Sequence, residues 1–102
     1  MGGTRMAKGY VIFTEDVGDA AGMDAYVGKA LPTIAKSGGR PIVFDPSPAV
    51  LEGSWHGPQT VVLEFDSVDA AKAWYQSEEY QAIISDRQAA AKANAVIVSG
   101  MD

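Results

Sequence analysis

A chain of 102 residues, 47% of them apolar and 21% charged, can build one hydrophobic core but not two, and its composition excludes a disordered chain. Its 13 acidic and 8 basic residues leave a formal charge of -5, which opposes any general attraction to phosphate backbones or anionic lipid. The lack of cysteine removes disulfides, thiolate zinc sites and cysteine nucleophiles together.

No apolar run approaches the roughly 20 residues of a membrane span, and no stretch near the start reads as a signal peptide. A cytoplasmic protein without nucleic-acid or membrane partners is therefore expected. Residues 1–7 begin Met1-Gly2-Gly3-Thr4-Arg5, Gly-rich and polar, and are expected to form a leader outside the fold, disordered or appended for expression. A single domain is expected over residues 8–99.

Gly9 to Thr14 is apolar at almost every step, which predicts a first strand covered on both faces. One helical layer covers one face, and a chain this short has little left for the other, so a partner subunit is implied. Asp19 can cap a helix with a buried stripe of Met23, Val27, Ala30, Leu31 and Ile34, with Tyr26 at its edge. Pro32 predicts a kink in it, and Ser37-Gly38-Gly39 ends it. Arg40 to Asp45 is a second strand, broken by Pro46 and Pro48, and Ala49 to Glu52 is expected to resume it as an edge arm.

The loop Gly53-Ser54-Trp55-His56-Gly57-Pro58 is turn-like, yet it carries a tryptophan and the only histidine, which a connector does not require. Val61 to Phe65 is a strand that turns directly into two short helices. Ser67 and Ser77 stand where hydroxyls cap free helix-start amides, and Asp69 and Glu78-Glu79 fall in the first turns, where negative charge complements the helix dipole. The third helical segment places Tyr80, Ile83, Ile84, Arg87 and Ala91 on one face, and Asn94 to Ser99 is the last strand. Strand, helix, strand, strand, broken helix, strand is the order of the α+β ferredoxin-like split β-α-β sandwich, a four-stranded antiparallel sheet with helices on one face.

Taken together, Gly9-Tyr10-Val11-Ile12, Gly38-Gly39-Arg40, Leu51-Glu52-Gly53 with Trp55, Val62 to Phe65, and Ala71, Trp74-Tyr75, Ser77, Glu79-Tyr80 and Arg87 resemble a small bacterial family, domain of unknown function 1330. This family lies within the dimeric α/β-barrel superfamily. The resemblance implies a ferredoxin-like subunit that pairs through its sheet face into a homodimer forming a dimeric α/β barrel. It implies no particular reaction, since related families include cofactor-independent monooxygenases, lactone isomerases and stress-response domains. His56 and the prolines flanking Ser47 depart from the family's pattern.

Two residues are candidates for catalysis. His56 is of the one residue type that ordinarily titrates near neutrality and could act as acid or base, or be only a solvated turn residue. Glu64 alternates with Leu63 and Phe65, so it faces away from the helices. A carboxylate in a dimer seam there would be ion-paired or have its pKa pushed up, and a raised carboxylate is a candidate base. Four further residues are candidates for binding. Tyr26 and Trp55 could wall an apolar pocket or simply pack, and Arg40 and Arg87 could clamp a carboxylate bidentately or pair within the chain. One histidine and scattered acids make no metal cage, and no Gly-rich phosphate loop is present, so neither metal nor cofactor is expected. The function expected is a homodimer enclosing a small, largely apolar pocket between sheet and helices, near Tyr26, Trp55, His56 and Glu64. Its ligand would be a small organic molecule, with acid-base or cofactor-free oxygenase or isomerase chemistry. The rival is a non-catalytic dimeric module.

Overall fold

The computed structural model describes residues 7–101, so all of the expected leader except Ala7 lies outside the described residues. Within them the order is β1 (Gly9–Val17), α1 (Ala20–Lys36), β2 (Arg40–Asp45), β3 (Gln59–Phe65), α2 (Val68–Gln76), α3 (Glu78–Gln81), α4 (Ile84–Ala90) and β4 (Ala91–Ser99). The strands pair antiparallel in the order β2-β3-β1-β4 with the helices on one face, which is the ferredoxin-like α+β arrangement expected. No helix among the described residues is long and apolar enough to cross a membrane.

Strand alternation divides the chemistry between two faces. Val11, Phe13 and Glu15 of β1 turn toward the helices, and the register Val11↔Leu63 and Gly9↔Phe65 sets Leu63 and Phe65 of β3 in the same layer. Phe65, Trp74 and Tyr80 are fully buried there, with ring centroids 5.6 Å apart for Phe65 and Trp74 and 4.1 Å for Trp74 and Tyr80. The Trp74 indole N–H donates to Thr33 Oγ1 at 3.0 Å, so the polar edge of the largest core ring is satisfied.

Each cap read from the sequence is made by the residue expected. Asp19 Oδ1 accepts from the Gly22 amide at 3.0 Å, Ser67 Oγ from Ala70 at 3.0 Å, and Ser77 Oγ from Tyr80 at 3.2 Å. After α1, which continues past Pro32, Gly38 takes a φ of 78° and the Gly39 amide returns to the Ile34 carbonyl at 2.9 Å. The left-handed backbone at Gly38 suits a residue without a Cβ.

Four local expectations are corrected. Ala49 to Glu52 forms no strand; with Pro46 and Pro48 before it and Leu51 almost wholly exposed, nothing holds it against the sheet. The buried stripe of α1 is Met23, Tyr26, Ala30 and Ile34, while Val27 and Leu31 are 36% and 44% exposed. The helical segment after Ser77 breaks at Ala82-Ile83 into α3 and α4. Ala91 is buried as expected but opens β4, three residues before Asn94, because β1 runs on to Val17 and its backbone needs a ladder partner as far as Val17↔Ala91.

Among the described residues no helix covers the other face of the sheet. Ile12, Val62, Val43, Val96 and Val98 lie across it, the last three 40%, 53% and 38% exposed. At one end Tyr10, Glu64 and Arg40 come together, and at the other Thr14 pairs with Thr60.

Candidate functional site

Between α1 and the helix-facing side of β1, β2 and β3 lies a cavity of about 200 Å³. Its wall is apolar over most of its extent, from Phe13, Met23, Ala30, Ile34, Val61 and Leu63, and it opens where Val27, Leu31 and Phe44 are exposed. The mouth therefore sits at the β2 edge of the sheet, beside α1.

Three polar side chains reach the wall: Glu15, Gln59 and Tyr26. Glu15 is only 3% exposed. Its place follows from β1 continuing beyond Thr14, since alternation from Val11 and Phe13 turns residue 15 inward. Gln59, its cross-strand partner, donates from Nε2 to Glu15 Oε1 at 2.9 Å. Among the described residues that is the one side-chain hydrogen bond to the carboxylate, and no ion pair reaches it.

Tyr26 is tied down behind the wall. Its hydroxyl lies 2.7 Å from that of Tyr80, which also accepts from Arg87 Nε at 3.2 Å. Burial and then the Tyr80 hydrogen bond push the Tyr26 phenol well above its ordinary pKa, so it is a neutral hydrogen-bonding group and not a base. For Arg87 burial opposes the charge, yet the Tyr80 hydrogen bond and the surrounding phenols raise its pKa and keep it cationic. Its guanidinium carbon lies 5.1 Å from the centroid of the Phe13 ring, and Phe13 also lines the cavity.

The pocket expected from the sequence joined Tyr26 with Trp55, His56 and Glu64, and the structure separates them. Tyr26 alone of the four lines the cavity. Glu64 is on the open sheet face, where it accepts from Tyr10 Oη at 3.0 Å and pairs with Arg40. The Tyr10 hydrogen bond, joined by the charge and hydrogen bond of Arg40, outweighs the opposing effect of burial and lowers its pKa, so the structural ion pair, and not the raised carboxylate of a base, is what this face holds. Arg40 is thereby engaged away from the cavity, and Arg87 contacts Tyr80 and Phe13 without forming part of the cavity wall.

Trp55 donates from Nε1 to Thr60 Oγ1 at 2.9 Å, and its ring centroid is 5.7 Å from that of His56; both residues are exposed. The loop is seated by Gly57, where an added Cβ would fall 2.6 Å from the Glu15 carbonyl carbon and 2.8 Å from the Asp16 nitrogen. Among the described residues no group of three histidine, cysteine or carboxylate side chains could hold a metal ion.

The same architecture recurs in solved structures of low sequence identity. A protein of unknown function from Rhodopseudomonas palustris is 17% identical with a TM-score of 0.78, the match covering 96% of this chain and 85% of that one. A mutant of SnoaB, a cofactor-independent oxygenase from Streptomyces nogalater, is 9% identical with a TM-score of 0.69, over 94% and 95% of the two chains. A dimeric ferredoxin-like protein of unknown function from Thermobifida fusca is 14% identical with a TM-score of 0.62, over 95% and 94%. These likenesses establish the fold alone. Among curated proteins none matches the chain. The family described as Domain of unknown function (DUF1330) matches residues 8–101, and the chain belongs to that family.

Proposed function

We propose that the protein is a homodimer in which each subunit binds a small, largely apolar organic molecule in the cavity between α1 and the sheet. The observation that carries this reading is the cavity itself, with apolar walls, the polar side chains of Glu15 and Gln59 in its lining and an open mouth. Pairing through the open sheet face is supported by its apolar centre of Ile12, Val43, Val62, Val96 and Val98, and by the dimeric ferredoxin-like protein of Thermobifida fusca. Sedimentation at micromolar concentration is expected to report about twice the chain mass.

Binding without turnover fits the wall better than catalysis. With Tyr26 held neutral, Glu15 is the one group on the wall among the described residues suited to exchange a proton, and the only histidine lies elsewhere. If chemistry occurs, it is proton transfer to or from Glu15, including the deprotonation that precedes cofactor-free oxygenation of an activated substrate. A thermal-shift screen of one-ring compounds tests the binding reading. A ligand at 100 times its Kd stabilises by about 2.7 kcal/mol, a readily measured shift. A panel in which no compound raises the melting temperature overturns it.

A further inference from the structure

We infer that Glu15 determines which molecules the cavity accepts, selecting a compact single-ring ligand that carries one hydrogen-bond donor, a hydroxyl or an amine, and rejecting carboxylic acids. The inference rests on the binding reading above and specifies the ligand class for the same cavity.

Size sets the first limit. A dry cavity of about 150 Å³ suffices for benzene, so about 200 Å³ encloses one ring and a short substituent. Polarity sets the second. An ionised carboxylate is an acceptor only, with about four acceptor positions on its two oxygens, and Gln59 occupies one of them. Buried acceptors are normally used, because leaving one dry costs free energy that a partner recovers. Glu15 lines the cavity and its other oxygen has no hydrogen-bond partner among the described residues, so a ligand's donor can meet it there. Tyr26 cannot take that place, since its hydroxyl lies 2.7 Å from that of Tyr80.

Charge sets the third limit. Among the described residues no lysine, arginine or histidine lines the cavity. Arg87 has its Nε on Tyr80 and its guanidinium over the Phe13 ring, and it is not part of the cavity wall. A benzoate would bring its negative charge beside Glu15 with no cation on the wall to offset it. A protonated amine would gain a charge-assisted bond at the same position.

Titration calorimetry with toluene, p-cresol, benzylamine and benzoate, similar in size and different in polar group, tests this on the intact protein. The expected result is binding of p-cresol and benzylamine at least about tenfold tighter than toluene, the scale a hydrogen bond to a charged group supplies, with no heat from benzoate. Glu15→Gln is expected to erase the preference for benzylamine over toluene while toluene still binds. Toluene binding as tightly as p-cresol, or benzoate binding at all, overturns the selectivity and leaves the cavity reading standing. No binding by any of the four overturns the cavity reading itself. The wild-type panel decides the question even if Glu15→Gln does not fold.

Discussion

The hydroxyls of Tyr26 on α1 and Tyr80 on α3 lie 2.7 Å apart in the buried interior, and that contact joins the cavity wall to the charge of Arg87. Deleting the Tyr80 hydroxyl would leave two buried polar groups, the Tyr26 hydroxyl and Arg87 Nε, without their partner. Tyr80→Phe is therefore expected to cost about 1–3 kcal/mol and more than Tyr26→Phe, which spares the contact with Arg87. Urea denaturation of the two variants checks the order.

The same pair predicts an alkaline slope. Because the folded-state pKa of Tyr26 is raised above its ordinary 10.0, the unfolded chain releases this proton first as pH rises. The stabilisation is complete below about pH 10 and is progressively lost above it, since there the unfolded state binds fewer protons than the native state. Tyr26→Phe is expected to flatten that part of the pH profile, and an unchanged slope in this variant would assign it to another group.

Phe65 and Ile12 sit on opposite faces of the sheet, so their substitutions separate folding from pairing. Phe65 is wholly buried under the helices, and Phe65→Ala is expected to cost about 3–5 kcal/mol. Ile12→Asp places a charge in the centre of the open face and is expected to give a folded monomer. Circular dichroism with sedimentation distinguishes the two outcomes, and an Ile12→Asp protein that remains dimeric contradicts the assignment of that face.

Two glycines should respond to alanine with opposite signs. At Gly57 the new methyl would collide with the backbone of Glu15 and Asp16, which cannot yield as a side chain can, so a lower melting temperature is expected. Gly28 lies inside α1 with nothing within 4 Å of its virtual Cβ, and Gly28→Ala is expected to stabilise by up to about 1 kcal/mol through helix propensity. Both are read in one thermal melt.

Thr14 is buried, and its hydroxyl has no hydrogen-bond partner among the described residues. The Thr60 hydroxyl opposite is already engaged by Trp55 and the Pro58 carbonyl. Thr14→Val, which keeps the shape and removes the unpaired group, is expected to be neutral or stabilising, whereas a cost above about 1 kcal/mol would show that the hydroxyl is satisfied in solution.

Much of this was legible before any coordinates. Ser67, Ser77 and Asp19 each announce a helix start by residue type and by the charges that follow, and the alternation around Leu63 places Glu64 correctly on the open face. Glu15 was missed because β1 was expected to stop at Thr14. Glu15-Asp16 is poor strand material, and pairing of Glu15 with Gln59 on one side and of Glu15 to Val17 with Ala91 to Ala93 on the other, a stretch whose alanines look helical, carries the strand past it. Extending the alternation by one residue would have turned Glu15 inward. Trp55 and His56 stand out in composition, but loop composition carries no information about which face a loop folds onto. Here the face depends on Gly57 seating against β1 and on the Thr60 hydroxyl.

The position of the cavity mouth has a thermodynamic consequence. Val27, Leu31 and Phe44 open at the β2 edge on the helical side, while Ile12, Val62 and Val96 occupy the reverse of the sheet. If subunits pair through that reverse face, association and ligand uptake are unlinked equilibria that share no surface. By reciprocity, a ligand's Kd should then be the same in dilute and concentrated protein, and saturating ligand should leave the monomer-dimer constant unmoved.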